Sequence, residues 1–269
     1  MNSMMMDGLP VELPSCDAMP DGRRDFGSIA FDKLPNTRDL GGLTTVDGRT
    51  VRRGALLRSG MLAYASDADL ERLRTEYHLS LIVDLRNLDE LAESPDPLAL
   101  LPEARFVHAN IFEDARVGIT QERAARIEAA RRLVEESGDP VDFMVALYPA
   151  MLLDAPGIAG YRQFFEALLA CEDGAALWHC QIGRDRCGMA SLLVETALGV
   201  PWEQIVADYL ATNVYAPARF TREGPASVRS LRAVTAAVER EYGGYGAYIE
   251  KALGIEPSAL HGLRSRLLE

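Results

Sequence analysis

The chain has 269 residues, of which 48% are hydrophobic, and its formal net charge is −12 at pH 7. This length and composition fit one large folded domain with a tail, or at most two small domains. The acidic balance argues against nucleic acid or an anionic membrane surface as a bulk partner. The four cysteines show no disulfide framework, which favours a reducing compartment.

The first 28 residues are predicted to be a flexible tail, followed by a single domain over residues 29–269. The Met4-Met5-Met6 run is too short for a signal peptide, lacks a basic start and is followed by Pro and Asp. No segment approaches the roughly 18 apolar residues of a membrane span. We therefore expect no integral membrane segment and take the cytoplasm as the default location, while secretion by a non-classical route stays open.

The early part of the domain predicts strands and helices in alternation. Asp47-Gly48 lies between two β-prone triplets and predicts a hairpin turn. Ser66 has the context of a helix N-cap. Leu81-Ile82-Val83 is typical of a buried parallel strand, and residues 105–109 predict another. This pattern indicates an α/β domain with a mostly parallel central sheet and flanking helices.

Polar residues that follow these strands are candidate supports for a site. Arg58 follows a strand at 55–57, and Asp84 and Arg86 follow the strand at 81–83. Site residues of open α/β sheets commonly lie at such carboxyl ends. The alternatives are a surface ion pair for Arg58 and a salt bridge between Asp84 and Arg86 that only fixes a loop.

Residues 113–155 form a long helical insertion between predicted strands. Thr120 is expected to cap a charged helix, and Asp139-Pro140 to begin a more apolar one. A core helix over 157–171 is then expected to lead into the next strand.

The most informative stretch is a thiol and a guanidinium between a predicted strand and a predicted helix. Residues 175–178 predict the end of a buried strand, and 189–198 a buried helix that Gly199 terminates. Between them, Cys180 and Arg186 form a Cys-x5-Arg pattern. The alternative is a structural cysteine beside a surface Arg-Asp-Arg run, and the strand and helix on either side argue against it.

Cysteine and arginine at the start of a helix suit attack on phosphorus. A thiol is a good nucleophile only as the thiolate, and the unpaired N–H groups of a helix start favour that form. Arg186 adds a full positive charge, so Cys180 is expected to titrate low. Gly183 lets the turn close tightly around an anion. The predicted phosphate cradle consists of Gln181, Ile182, Gly183, Arg184, Asp185 and Arg186.

This arrangement predicts a phosphomonoester hydrolase that needs no metal or cofactor. Cys180 would attack phosphorus to form a phosphocysteine, which water then hydrolyses. Asp185 is the carboxyl group expected nearest the leaving oxygen, and it is the predicted general acid. Asp39, Asp84 and Asp114 are rivals for that role.

At this loop the chain resembles the atypical bacterial members of the cysteine-dependent protein tyrosine phosphatases. Their loop reads His-Cys-x-x-Gly-Lys-Asp-Arg-Thr-Gly, and here it is His179-Cys180-Gln181-Ile182-Gly183-Arg184-Asp185-Arg186-Cys187-Gly188. The resemblance covers roughly residues 30–268. It includes Asn36-Thr37-Arg38-Asp39-Leu40-Gly41-Gly42, Arg53-Gly54 with Arg58-Ser59-Gly60, Val83-Asp84-Leu85-Arg86 with Glu90, and Asp208-Tyr209-Leu210 with Asn213. It implies their fold and makes Asp39, Asp84 and Arg58 supporting candidates. In relatives, helices of the 113–155 region can cover the site as a lid, and ordinary packing helices are the alternative.

Two loop positions depart from the family pattern. Arg184 replaces the Lys thought to bind further phosphates, which keeps the charge but replaces a point charge with a planar fork. Cys187 replaces the Thr whose hydroxyl eases departure of sulfur from phosphocysteine, and a thiol is a weaker donor. Cys187 is also a candidate for a reversible disulfide with Cys180, or a small buried filler. His179 is expected to prop the loop rather than transfer protons.

The resemblance implies a protein tyrosine phosphatase, with dual specificity as an extension, whose partner is a phosphorylated protein or a phosphoinositide. One alternative is a phosphoinositide or inositol phosphate phosphatase, with which Arg184 is compatible. Another is a weakly active, phosphate-binding pseudophosphatase, because Cys187 replaces Thr. Sulfur transfer through a persulfide on Cys180 is a more distant alternative.

Overall fold

The computed structural model describes residues 26–112, 121–139, 141–221 and 224–269. These residues form a five-stranded sheet made of β1 (Arg38–Asp39), β2 (Leu56–Ser59), β3 (Leu79–Asp84), β4 (Arg105–His108) and β5 (Ala175–His179). The order across the sheet is β1-β2-β5-β3-β4, and each neighbouring pair is parallel except β1 with β2. The predicted α/β fold with a mostly parallel sheet is confirmed.

Helices flank this sheet. In the described part of the chain they are α1 (Asp67–Thr75), α2 (Leu88–Glu93), α3 (Gln121–Ser137), α4 (Val141–Leu153), α5 (Ala155–Leu169), α6 (Asp185–Leu198), α7 (Trp202–Tyr215), α8 (Ala218–Thr221), α9 (Val228–Tyr242), α10 (Tyr245–Lys251) and α11 (Pro257–Leu267). The predicted insertion therefore contains α3 and α4.

The central strand β5 is buried on both faces because its side chains alternate between two apolar clusters. Leu177 packs with Leu57 and Ile82 of the neighbouring strands, in the cluster that α1 covers. Trp178 belongs to the other cluster, where its ring centroid lies 5.4 Å from that of Phe164 on α5. A strand without a solvent-facing side is typical of the middle of a parallel sheet.

The register of the central strands brings their carboxyl ends to one edge of the sheet. His179, the last residue of β5, lies opposite Ser59 of β2 and Asp84 of β3. The Leu85 N–H then donates to the His179 carbonyl at 2.9 Å. Cys180 therefore leaves the sheet at the edge where ligands bind in open α/β folds.

Several local predictions are confirmed. The Ser66 hydroxyl accepts the Asp69 N–H at 3.2 Å, and the Asp69 carboxylate accepts the Ser66 N–H at 3.0 Å, so a capping box begins α1. Gly199 ends α6 in the left-handed conformation, with φ 85°. A bridge between Thr44 and Thr50 closes the predicted hairpin.

Two other predictions fall outside the described residues. Thr120 and Pro140, expected at two helix starts, lie outside the described residues.

The last residues of the predicted tail contact the folded body. Phe26 is buried against Ala207 and Ala211 of α7, and Ser28 forms a bridge with Arg38. Phe26 and Ser28, which the sequence assigned to the tail, therefore pack with the folded domain.

Among the described residues, no single helix is both long and apolar enough to cross a membrane. Helices α4 and α5 meet the length and composition criteria only when taken together, and they are bent by 61° at their junction.

Asp69 holds the segment that leads to the site. Its carboxylate accepts backbone N–H groups from Asp32 (2.7 Å), Lys33 (2.9 Å) and Leu34 (3.2 Å) as well as from Ser66. Burial raises the pKa of Asp69, but the hydrogen bonds from Ser66, Lys33 and Asp32 outweigh it, so the pKa lies below its ordinary value.

We expect Asp69→Ala to lower the free energy of unfolding by about 2–4 kcal/mol, because it leaves the buried N–H of Leu34 and three partly buried N–H groups without their acceptor. Because the folded-state pKa is depressed, this contribution is complete above the unfolded pKa of about 3.9 and is lost as pH falls through the folded value. In urea unfolding, the difference in the free energy of unfolding between wild type and Asp69→Ala should therefore be smaller near pH 3 than at neutral pH. Asp67→Ala, an exposed acid in the same turn, should change stability by less than about 0.5 kcal/mol, and equal losses in the two variants would contradict the account.

Candidate active site

The predicted strand, loop and helix around Cys180 are present, but the helix begins at Asp185, earlier than the predicted Met189. β5 ends at His179, α6 begins at Asp185, and residues 180–184 join them. Cys180 is only 2% exposed. The first N–H groups of a helix have no partner within that helix, so this loop carries donors suited to an anion.

Gly183 is required by the close approach of β2. Its φ is 75°, in the left-handed region that side chains disfavour. A Cβ atom there would lie 2.5 Å from the carbonyl oxygen of Ser59. The predicted role of glycine in closing the turn is therefore supported by backbone conformation and by space.

Two side chains from outside the loop hold its carbonyl groups. Asn36 Nδ2 donates to the carbonyl oxygens of Ile182 (3.1 Å) and Gly183 (3.0 Å), and Arg58 Nη2 donates to that of Gly183 at 2.7 Å. Asn36 itself has φ 54°, which is uncommon for a residue other than glycine. Because adjacent N–H and C=O groups point in opposite directions, anchoring the carbonyls leaves the N–H groups free to face a ligand.

Asp208 on α7 pairs with two buried arginines. Its carboxylate accepts Arg58 Nη1 at 2.5 Å and Arg38 Nη1 at 2.7 Å. Burial, and then the charge of Arg58, lower the pKa of Arg38 to about 10. Asp208 thus braces the loop through Arg58. Asn213 does not, because its amide bonds the backbone of Ala226.

The guanidinium of Arg186 is fixed by Glu90 at the start of α2. Nη1 and Nη2 donate to the two carboxylate oxygens at 2.5 and 2.8 Å, a bidentate pair. The Phe112 ring centroid lies 5.3 Å from the guanidinium carbon. Burial lowers the pKa of Arg186, but Glu90 and Cys180 outweigh it and raise the pKa, so the group stays cationic.

His179 belongs to a buried ionic cluster behind the loop. Its Nε2 lies 2.9 Å from Asp96 Oδ2, and its Nδ1 lies 3.9 Å from Asp84 Oδ1. Arg86 donates to Asp84 at 2.7 Å and to Asp96 at 3.0 Å. The predicted salt bridge between Asp84 and Arg86 is therefore present, and Asp96 is a member that the sequence did not single out.

Asp84, Asp96 and His179 offer ligand atoms within 4.8 Å of one another, as a metal site would. The guanidinium of Arg86 already bonds both carboxylates and supplies a positive charge. An imidazolium at His179 would balance the second carboxylate. We therefore interpret this group as an ion-pair cluster that fixes the residue before Cys180.

Asp185 is held on two sides. The Tyr148 hydroxyl of α4 donates to Oδ1 at 2.5 Å, and Arg184 Nε donates to Oδ1 and Oδ2 at 3.0 and 3.1 Å. Arg184 also bonds the carbonyl of Gly224. The insertion thus brings one of its helices to the carboxylate that the sequence selected as the acid.

The rival carboxylates lie elsewhere. Asp84 is bonded to Arg86 within the cluster. Asp39 accepts the N–H groups of Gly41 (2.7 Å) and Gly54 (2.8 Å), and Gly54 precedes β2 at the end opposite Ser59. The structure therefore does not bring Asp39 to the loop. Asp114 lies outside the described residues.

Cys187 is a buried thiol in the first turn of α6. Burial is the main cause that raises its pKa to about 12, so it stays protonated. Its single S–H donates to the Trp178 carbonyl oxygen at 3.6 Å. Trp178 lies in β5, just before the loop.

Comparisons with known proteins agree with this geometry. The model of the tyrosine phosphatase family matches residues 29–269. A Cupriavidus necator protein, named provisionally as a tyrosine-protein phosphatase, is 33% identical over 264 residues, covering 91% of this chain and 90% of its own length. The chain belongs to the tyrosine phosphatase family.

Two more distant members match over most of their length. The triple specificity protein phosphatase PtpB of Mycobacterium tuberculosis is 27% identical over 289 residues, covering 89% of this chain and 100% of its own. A tyrosine-protein phosphatase of Nostoc commune is 26% identical over 241 residues, covering 79% of this chain and 74% of its own. The protein is therefore a phosphatase enzyme, and the resemblance predicted from the loop is confirmed.

The ionic cluster of this phosphatase should make its stability depend on pH. Burial lowers the pKa of His179, but the carboxylates of Asp84 and Asp96 outweigh it, so the pKa lies above its ordinary value. The contribution of protonated His179 to stability is therefore complete below its unfolded-state pKa of about 6.5. It is lost as pH rises through the pKa of His179 in the folded protein.

We expect Asp96→Asn to lower the pKa of His179, as followed by NMR of the imidazole ring, because one of its two carboxylate neighbours is neutralised. Glu93→Gln, which removes an exposed acid of α2, should leave the His179 titration unchanged. The same titration midpoint in Asp96→Asn and wild type would contradict the cluster.

Proposed function

We propose that this enzyme hydrolyses phosphate monoesters through a phosphocysteine on Cys180, with phosphotyrosine in proteins as its principal substrate. The observation that carries the proposal is the strand–loop–helix geometry, in which a buried thiol precedes α6 and Arg186 is clamped by Glu90. The described cysteines are free thiols, as this chemistry requires, and a reducing compartment would keep them so.

Substrate binding uses the loop as an anion site. The N–H groups of residues 181–186 bind the phosphate oxygens, while Arg186 binds two of them as a planar fork. Glu90 holds that fork in one plane, so little conformational entropy is lost on binding. Oriented donors of this kind stabilise the charge that develops on phosphoryl oxygens in the transition state.

The first chemical step transfers the phosphoryl group to sulfur. The Cys180 thiolate forms a bond to phosphorus as the ester P–O bond breaks, and the leaving oxygen takes the bonding electron pair. Protonated Asp185 gives its proton to that oxygen. Asp185 is itself the first residue of α6, so the acid directly follows the loop and lies next to its N–H donors.

The second step releases phosphate. A water molecule attacks the phosphocysteine, Asp185 accepts its proton, and the P–S bond breaks to restore the thiolate. Departure of sulfur is eased by a hydrogen-bond donor. The S–H of Cys187 is directed to the Trp178 carbonyl, so it is a poor candidate for that donor. We therefore propose that hydrolysis of phosphocysteine limits turnover.

An aromatic substrate is favoured by the surroundings of Arg186. The Phe112 ring lies beside the guanidinium and provides an apolar wall against which a phenyl ester can pack. Arg184, by contrast, is bonded to Asp185 and to the Gly224 carbonyl, so it is less suited to bind a second phosphate. The names of the relatives agree with a phosphotyrosine substrate.

We expect Cys180→Ser to lower kcat on para-nitrophenyl phosphate by at least about 10⁴-fold, because the nucleophile is removed. Cys171→Ser, which changes a partly exposed cysteine bonded to Ser80, should keep wild-type activity. A panel of phosphotyrosine and phosphoserine peptides, phosphoinositides and soluble inositol phosphates then tests the substrate. Full activity in Cys180→Ser would contradict the mechanism, and a preference for inositol phosphates would contradict the substrate.

We expect Cys187→Thr to raise kcat, because a hydroxyl is a stronger donor than a thiol toward the departing sulfur. Stopped-flow assays should reveal a burst of para-nitrophenol in the wild type, with an amplitude close to one per enzyme, that shrinks in Cys187→Thr. The value of kcat/KM should change little, because it reports steps up to phosphocysteine formation. An unchanged kcat and no burst in either protein would contradict slow hydrolysis.

A further inference from the structure

We propose that Tyr148 is a positioning residue for the reaction: its hydroxyl fixes the Asp185 carboxyl group and directs the acidic proton to Oδ2. This inference rests on the proposed function, in which Asp185 is the general acid. It assigns a role in the chemistry to helix α4 of the insertion, which the sequence left open between a lid and ordinary packing.

The contact is short and buried. Tyr148 is 1% exposed, and its hydroxyl oxygen lies 2.5 Å from Asp185 Oδ1. Such a distance is typical of a hydroxyl that donates to a carboxylate. Burial, and then the charge of Asp185, raise the pKa of Tyr148 well above its ordinary value, so the phenol keeps the hydrogen that it donates.

A second tyrosine extends this hydrogen bond into a chain. The Tyr209 hydroxyl of α7 lies 2.6 Å from that of Tyr148. Each phenol has one hydrogen, and the Tyr148 hydrogen goes to Asp185. Tyr209 must therefore donate to Tyr148, and the two hydroxyls form a chain that ends at the carboxyl group.

The two oxygens of Asp185 are consequently different. Within the part of the chain that the structure describes, Oδ1 accepts from Tyr148 and from Arg184 Nε, whereas the side-chain contact of Oδ2 is the longer one of 3.1 Å from Arg184. An oxygen that already accepts two hydrogen bonds is the worse place for a proton, because the protonated oxygen loses acceptor capacity. When Asp185 is the acid, its proton therefore lies on Oδ2.

Loss of this bond should make the reaction sensitive to the leaving group. A nitrophenolate departs readily without a proton, whereas phenolate and alkoxide need one. We therefore expect Tyr148→Phe to lower kcat/KM for phenyl and alkyl phosphates by on the order of 10-fold or more, and to change it far less for para-nitrophenyl phosphate. A residue that only supported the fold would affect all esters alike.

The experiment measures kcat/KM over a series of aryl and alkyl phosphates, since this parameter reports phosphocysteine formation even when hydrolysis is slow. The proteins are wild type, Tyr148→Phe, Tyr209→Phe, Asp185→Asn and the control Tyr248→Phe. Tyr248 is also fully buried, and its hydroxyl donates to the Leu152 carbonyl of the same helix α4 at 2.6 Å. Thermal unfolding of each protein checks that it is folded.

The expected result is a steeper dependence of kcat/KM on leaving-group pKa in Tyr148→Phe, a smaller change in the same direction in Tyr209→Phe, and the wild-type slope in Tyr248→Phe. Wild-type slopes in both Tyr148→Phe and Tyr209→Phe, with a steep slope in Asp185→Asn, would overturn the inference and leave the proposed function intact. A wild-type slope in Asp185→Asn itself would overturn the assignment of the acid, and with it the role of Tyr148.

Discussion

The buried carbonyl groups of the loop at 180–184 need hydrogen-bond donors, and much of the structure meets that need. For the N–H groups to face an anion, the carbonyls must face the protein, where leaving one unpaired costs about 1–3 kcal/mol. Asn36 and Arg58 supply the donors, and Asp208 holds Arg58 in place. Segments that are distant in the sequence therefore converge on one turn, and Asp69 anchors the segment that carries Asn36.

The ions around this turn occur in groups of opposite charge. Arg38 and Arg58 share Asp208, Arg186 pairs with Glu90, and Arg86 bridges the carboxylates beside His179. Removing one partner of a buried pair leaves a charge without compensation and typically costs 3–5 kcal/mol. The residues that shape the anion site are thus also residues on which folding depends. The activities of site variants should therefore be compared only between proteins with similar free energies of unfolding. Conservative substitutions are the most informative.

The sequence predicted the loop well because its signals are local: a buried strand, a glycine turn and a helix adjoin around Cys180. The supports are long-range contacts and were harder to predict. Tyr148 lies 37 residues from Asp185 and Asp96 lies 83 residues from His179, so only tertiary packing brings them together. Asp39 was selected as a supporting residue, yet consecutive residues of a strand point to opposite sides. Its neighbour on the strand enters the buried pair with Asp208, whereas the Asp39 carboxylate bonds backbone near the other end of β2.

The central claim is that phosphate passes through the Cys180 sulfur. The most direct test is rapid quenching of the wild-type enzyme in denaturant during turnover of an aryl phosphate, followed by peptide mass spectrometry. The account predicts one phosphoryl group on the peptide that contains Cys180, at a level that follows the burst and is absent from Cys180→Ser. Normal turnover with no phosphorylated cysteine, or with the phosphoryl group on another residue, would contradict it.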